Sequence, residues 1–156
     1  MATTFSYIVN SIQEYCNNDR QIQEFTTDSD YKIDTKYQRK YPLVILSPKA
    51  ATIKGTAQYL SFYIMIGDNL YEDESNLWDV WNTTLEIGRR IANWFETTYG
   101  QYNPAGYDIR IDDKKGVSFK FVKHSMDREL AGVMLEVEFI SQNIVDNCLG
   151  DIPSNL

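Results

Sequence analysis

The sequence predicts a single α+β domain, in which one mostly antiparallel sheet of about five strands packs with two helices in the order α-β-β-α-β-β-β. Two stretches carry apolar residues at helical spacing, whereas the other apolar stretches alternate with a period of two residues. With 156 residues, 43% of them hydrophobic, the chain can bury a core of its own. No internal repeat or shift in composition divides it, so residues 1–156 are expected to form one domain.

The first predicted element is a helix over residues 4–17, with Thr3 or Thr4 as its N-cap. Five residues recur there at spacings of three or four and form one apolar stripe: Phe5, Ile8, Ile12, Tyr15 and Cys16. We expect this stripe to pack against the sheet.

Residues 18–41, which follow this helix, form a polar stretch that is long for a connection inside a compact domain. A stretch of this kind is usually functional, or ordered only on binding. It contains aromatic residues that a simple linker does not need, among them Phe25, Tyr31 and Tyr37. We predict an arm that lies on a neighbouring protein, with these residues in contact; a loop packed on its own domain is the alternative.

Two strands are predicted in the centre of the chain, Leu43–Ser47 and Ala57–Ile66. The second is largely apolar on both faces: positions 60, 62, 64 and 66 are aliphatic or aromatic, and the opposite face includes Tyr59 and Tyr63. Both faces therefore need a cover, and one layer of helices supplies only one. We predict that Tyr59 and Tyr63 contribute to a subunit interface.

The long helix predicted over residues 75–99 has an apolar arc of roughly 200°, wider than the stripe with which a surface helix usually meets its core. One side of the arc consists of Leu77, Trp78, Trp81, Leu85, Gly88, Ala92 and Phe95. The other side consists of Val80, Ile87, Ile91 and Trp94. We predict that this second side forms a subunit interface; the alternative is a helix wedged between the sheet and the N-terminal helix.

The C-terminal third is predicted to form a β-meander. Residues 107–111 and 117–121 alternate in polarity, and the sequence DDKKG between them indicates a tight hairpin. The last strand is expected over residues 132–142. An extended tail over residues 141–156 follows, with Ile144 as a further interface residue.

The residues form no recognisable catalytic, cofactor or metal site. The only histidine, His124, adjoins Ser125, but neighbours in a strand point to opposite faces and make no nucleophile–base pair. Cys16 and Cys148 match no metal-binding spacing, so buried free thiols are expected. None of the common nucleotide-binding or hydrolase motifs occurs. We therefore expect a protein that is not an enzyme and uses no cofactor.

The charge argues against a dedicated nucleic-acid-binding protein, because the formal net charge is -7. Residues 106–128 differ from the remainder, since six Lys or Arg against four Asp leave this segment at +2. Such a distribution is compatible with head-to-tail pairing of like subunits, although an ordinary solvated surface explains it equally simply. We predict no signal peptide and no membrane span, because no apolar stretch approaches about 20 residues.

The pattern of elements over about residues 43–143 resembles that of the neck and tail-completion proteins of tailed bacteriophages, in particular those of crAss-like phages. The resemblance depends on the N-terminal amphipathic helix, the long helix SNLWDVWNTTLEIGRRIANWFE and the final segment FVKHSMDRELAGVMLEVEFISQN. Tail terminators and head–tail connector ring proteins belong to this group.

The resemblance implies a tail-terminator-like fold and a structural virion protein, assembled in the bacterial host cytoplasm. Its partners would be copies of itself in a homo-oligomeric ring and the neighbouring portal, connector or tail proteins. Genomic DNA would pass through the lumen without sequence-specific binding. The alternative is a soluble, non-enzymatic adaptor or ligand-binding module that uses its aromatic surface as a cleft.

Overall fold

The computed structural model describes residues 4–27, 40–99, 109–111, 117–123 and 130–142. Within these residues the elements are α1 (Thr4–Asn18), β1 (Glu24–Thr27), β2 (Leu43–Lys54), β3 (Ala57–Asn69), α2 (Leu77–Tyr99), β4 (Ile109–Ile111), β5 (Ser118–Lys123) and β6 (Leu130–Gln142). The predicted α+β class with two helices and a mostly antiparallel sheet is confirmed. The described part of the sheet has six strands rather than about five.

The sheet is built around β3 and β6. Its strand order is β1-β2-β3-β6-β4, and β5 also pairs with β6. β3 and β6 are antiparallel along their whole length, from Ala57 opposite Gln142 to Asn69 opposite Leu130. Because both strands are long and rich in β-branched and aromatic residues, this pair forms the framework against which the helices pack.

β1 is a strand that the sequence did not predict, since it lies within the segment 18–41 that was expected to form an arm. Glu24–Thr27 pairs in parallel with residues 43–46 of β2, and Phe25 packs against the core. Two parallel strands need a connection of about a dozen residues or more. The parallel pairing of β1 with β2 therefore explains why the chain between them is long. The arm prediction is therefore wrong for β1; residues 28–39 lie outside the described part.

The predicted meander is also corrected. β4 and β5 do not form a hairpin with each other in the described residues, but pair one after the other along the same edge of β6. β5 lies opposite residues 131–136 and β4 opposite residues 139–141. Strand alternation predicted both strands correctly, but pairing depends on distant residues. The DDKKG turn at 112–116 lies outside the described residues.

Both helices cover one face of the sheet. α1 contributes Ile8, Ile12 and Cys16 to the core, at the helical spacing seen in the sequence. The sheet contributes the even-numbered residues 60–66 of β3 and the odd-numbered residues 133–139 of β6, all buried. Aromatic rings tie the layers together, with Phe139 edge-on to Phe95 at 5.4 Å between ring centroids.

The face of the sheet turned away from the helices is mixed. At one end, Leu43, Ile45 and Met65 are buried together with Leu130 in a second small cluster. Towards the other end, this face carries polar and half-buried side chains, which are described below. The prediction that both faces of β3 are largely covered is thus met at one end of the strand.

The outer edge of the hairpin formed by β2 and β3 is partly unpaired in the described part of the chain. β1 pairs only with residues 43–46, so the outer edge of β2 beyond Leu46 has no partner strand among the described residues. Residues 48–56 are exposed, and a bulge interrupts the pairing between Pro48 and Ala50. The turn uses Gly55, whose φ of 63° is easily adopted only without a side chain.

Candidate interaction surface

One side of α2 packs on the sheet. Its buried residues are Val80, Thr84, Ile87, Gly88, Ile91, Phe95 and Tyr99. Ile87 and Ile91 have no exposed surface, and Val80 packs with Leu70 and Ala131. The prediction that Val80, Ile87 and Ile91 form a subunit interface is therefore wrong, because the chain's own sheet covers them.

Part of the other side of the apolar arc faces outwards and forms the aromatic groove, an open hollow of about 450 Å³ between α2 and β5. It is lined by Trp78, Trp81, Asn82, Leu85 and Phe121. The Trp78 side chain is 79% exposed and that of Phe121 is 52% exposed. Since large apolar side chains are rarely left exposed together, this groove is the surface of the described chain that most needs a partner.

The rings of the aromatic groove are held in place from below. The indole N–H of Trp81 donates a hydrogen bond of 3.0 Å to the carbonyl oxygen of Val122 in β5. Trp81 also stands edge-to-face against Trp78 and against Phe121, each at 5.5 Å between ring centroids. The groove is thus largely preformed, and binding a partner costs little side-chain entropy.

Gly88 allows β5 to approach α2 closely enough to form the groove. A methyl group at this position would lie 2.8 Å from the Phe119 ring and 3.2 Å from Ile66. The helix therefore meets β5 and β3 through its backbone at this point. A larger residue would push the Phe119 ring outwards and widen the groove.

Acidic residues lie at the N-terminal end of α2, the helix that forms one wall of the groove. Glu72 and Asp73 are exposed in the loop before α2, and Asp79 is exposed beside Trp78 in its first turn. The backbone N–H of Ser75 donates to the Asp73 carboxylate at 3.0 Å and lowers the pKa of that group. Negative charge is favourable at a helix N-terminus, and Asp79 places it next to Trp78, while Lys123 of β5 is paired with Glu74.

A second region with polar chemistry lies on the outer face of the sheet. Lys49 forms an ion pair with Glu136, and its ammonium group lies 5.3 Å from the centre of the Tyr63 ring. The Ser61 hydroxyl donates to Glu138 at 2.9 Å. Tyr59 and Tyr63, both predicted to lie at a subunit interface, are half-buried here.

Trp94, a further predicted interface residue, serves the junction between the two helices. Its ring stacks on Tyr15 of α1 at 4.8 Å. One turn earlier on α2, the Arg90 guanidinium binds the Asp19 carboxylate with two nitrogen–oxygen contacts of 3.0 and 3.1 Å. The Asp19 carboxylate also accepts the Gln21 N–H at 2.9 Å. This cluster anchors the C-terminal end of α1, so Trp94 has a structural role within the chain.

The remaining predicted contact residues separate into two groups. Phe25 is half-buried in β1 and packs against the core. Tyr31, Tyr37 and Ile144 lie outside the described residues. The residues that sequence reasoning missed are Trp78, Trp81 and Phe121. The two tryptophans belong to the apolar arc recognised in the sequence, but to the side that was not assigned to an interface.

Groups with potential for chemistry are dispersed in the described chain. No three His, Cys, Asp or Glu side chains among the described residues are grouped to hold a metal ion. Burial raises the pKa of the Cys16 thiol to about 12, so this thiol stays protonated and unreactive. Burial also raises the pKa of Tyr99 to about 12. His124 lies outside the described residues.

Comparison of the sequence with protein-family models and with curated proteins gives no match. In the described part of the chain, neither α1 nor α2 combines the length and the apolar character that crossing a membrane requires.

Proposed function

We propose that this chain is a non-enzymatic structural virion protein, a ring-forming subunit of a bacteriophage head–tail connector, neck or tail terminator. One observation carries the proposal: the aromatic groove presents Trp78 and Phe121 to solvent on a rigid base. Preordered aromatic side chains in a shallow hollow are typical of the centre of protein–protein interfaces. The resemblance of the sequence to phage neck proteins supplies the class of assembly.

In this proposal the partners are further copies of the chain and the adjacent portal, connector or tail proteins. The net charge of -7 suits a subunit whose lumen lets DNA pass, because an acidic wall repels phosphates. The protein assembles in the host cytoplasm, acts in the neck or tail of the virion, and contacts no membrane.

The first test is the solution mass of the purified chain, measured by light scattering after size exclusion from about 1 µM to about 1 mM. Negative-stain images of each peak accompany it. We expect the mass to rise with concentration and annular particles to appear in the heavier peaks. A monomer at every concentration, together with no binding to isolated portal or tail particles of a host phage, would contradict the proposal.

Matched variants assign the association to a surface. Trp78→Ser should reduce association, because the exposed Trp78 ring is available to contact a partner and adds little to the stability of the monomer. Phe5→Ser is the matched control, since Phe5 is an aromatic residue of α1 that is 42% exposed and stacks on Phe62 instead of lining the groove. Tyr63→Ser tests the outer sheet face separately. Loss of association in the control alone would exclude the groove as the contact.

A second function is favoured by the shape of the same groove. A hollow of about 450 Å³ lined by two tryptophans, a leucine and a phenylalanine also suits a small apolar ligand, as in a soluble binding module. Titration with dansylamide, a neutral fluorescent aromatic, discriminates between the two. Saturable one-to-one binding by a monomer, abolished in Trp81→Ala, would favour the binding module over the ring subunit.

A further inference from the structure

We infer that the aromatic groove of one copy of this chain is filled by the β2–β3 hairpin tip, residues 50–57, of a second copy. The inference rests on the proposed function, because it specifies how one subunit recognises the next. It identifies two different surfaces of the same chain as the two halves of one contact.

The groove and the hairpin tip lie at opposite ends of the sheet. The tip begins where Lys54 pairs with Ala57, and Ala57 lies opposite Gln142 at one end of β6. At the groove, Trp81 is hydrogen-bonded to Val122, which lies opposite Gly132 near the other end of β6. With a rise of about 3.3 Å per residue, the ten steps of β3 between these levels span roughly 33 Å. A chain therefore cannot place its own tip in its own groove.

The hairpin tip has the shape and polarity that the groove requires. Ile53 is the only large apolar residue of the tip and is 64% exposed. Its neighbours are small, mostly Ala, Thr and Gly, so the ribbon is narrow. A branched aliphatic side chain on a narrow support can enter a hollow between two indole rings, where it removes apolar surface of both partners from water.

Charge complements this fit. Lys49 and Lys54 are the only charged residues in β2 and the turn, and Lys49 is engaged by Glu136 on the outer face. Lys54 therefore carries the positive charge at the tip. The rim of the groove at the α2 N-terminus is negative, because Asp79 is exposed beside Trp78 and Lys123 of β5 is paired with Glu74. Lys54 points to the other face of the ribbon from Ile53, so its charge attracts the tip towards this rim without fixing the orientation of the contact.

The contact joins two different surfaces, so it is heterologous. Each copy that inserts its tip still offers an empty groove, and each copy that receives a tip still has its own tip free. Repetition of such a contact gives a ring if the rotation between subunits closes and a filament if it does not. An isologous dimer, in which like surfaces meet, does not follow from this geometry.

The test is a mixed cross-link between two single-cysteine variants, both in a Cys148→Ser background. Cys16 can be retained, because it is buried and its thiol unreactive. One variant carries Ile53→Cys at the tip and the other Asn82→Cys in the groove wall. A disulfide needs Cα atoms within about 7 Å, so it reports direct insertion. We expect the mixture to give a mixed dimer under mild oxidation, about tenfold above a control that pairs Ile53→Cys with Glu14→Cys.

Charge reversal gives an independent readout. Lys54→Glu should weaken association by about fivefold, and Asp79→Lys in the same chain should restore it. Wild-type association without the mixed cross-link, or without rescue by the double variant, overturns this inference and leaves the ring subunit standing. Absence of association in the wild type, with no cross-link above the control, overturns both.

Discussion

Gly132 of β6 lies against the backbone of β3, and replacing it with alanine should destabilise the fold strongly. A Cβ at this position would lie 1.8 Å from the carbonyl oxygen of Ile66, 2.8 Å from its carbonyl carbon and 3.0 Å from the Cα of Gly67. All three are backbone atoms, so no rotamer change relieves the collision. The φ of Gly132 is not in the left-handed region, so the cost is steric.

The size of the effect follows from the separation that the extra methyl group enforces. The two central strands must part by more than about 1 Å, which breaks about two ladder hydrogen bonds, each worth about 1 kcal/mol. Repacking of the buried residues beside the site adds about 1–3 kcal/mol, so the total is about 3–5 kcal/mol. The unfolding entropy is about 2.1 cal/mol/K per residue, summed over 156 residues. Dividing the loss of unfolding free energy by this total entropy gives a Tm decrease of roughly 9–15 °C.

The matched control is Gly67→Ala, because Gly67 lies directly opposite Gly132 in the register. Its new methyl group would meet only side-chain atoms of Leu130, at 2.8–3.0 Å. That side chain can shift, so we expect a loss of about 1–2 kcal/mol. Differential scanning calorimetry and urea unfolding of both variants measure the difference. Equal losses in the two variants, or a Tm decrease below about 3 °C for Gly132→Ala, would refute the assigned strand contact.

Three further predictions concern individual side chains. Ile91→Ala should lower the free energy of unfolding by about 2–5 kcal/mol, and Trp78→Ala by less than about 0.5 kcal/mol. Urea titrations at protein concentrations too low for association measure both values. A larger loss for Trp78→Ala than for Ile91→Ala would show that Ile91 is not a core residue and return it to the interface. In a Cys148→Ser chain, the Cys16 thiol should react with an aromatic disulfide reagent only after unfolding, and rapid reaction of the native protein would disprove its burial. Burial raises the pKa of Asp68, so the folded state holds this proton more tightly than the unfolded state and loses stability as the pH rises through the folded-state pKa. Asp68→Asn should therefore raise the urea midpoint at neutral pH and lose this advantage below about pH 4, whereas a pH-independent gain would point to another cause.

Much of the fold could be predicted because it depends on local periodicity. The stripe of Ile8, Ile12 and Cys16 and the alternation in β3 and β6 are short-range patterns, and the structure has helix and strands at those positions. β1 was missed because four residues in a polar stretch carry almost no periodic signal. Only its parallel partner in β2 makes it a strand.

The candidate site was only half accessible to sequence reasoning. The wide apolar arc of α2 correctly indicated that one sheet face could not bury every apolar residue of the helix. It contained the two tryptophans of the aromatic groove, but not Phe121, which reaches the groove from β5. The groove joins residues of α2 to Phe121 of β5, which is distant along the chain, as is Val122, the hydrogen-bond partner of Trp81.

The sequence by itself therefore determined the class of the fold, the positions of most elements and the excess of apolar surface on α2, since each follows from residue spacing along one segment. The tertiary structure alone decided which side of that helix is buried. Gly88 lies on the same side of the arc as Trp78 and permits close approach to Phe119 and Ile66; this contact and the burial of Ile87 and Ile91 turn the middle of the helix inwards and leave Trp78 outside. That choice depends on how surfaces from distant segments fit together, and no periodicity within a single segment records it.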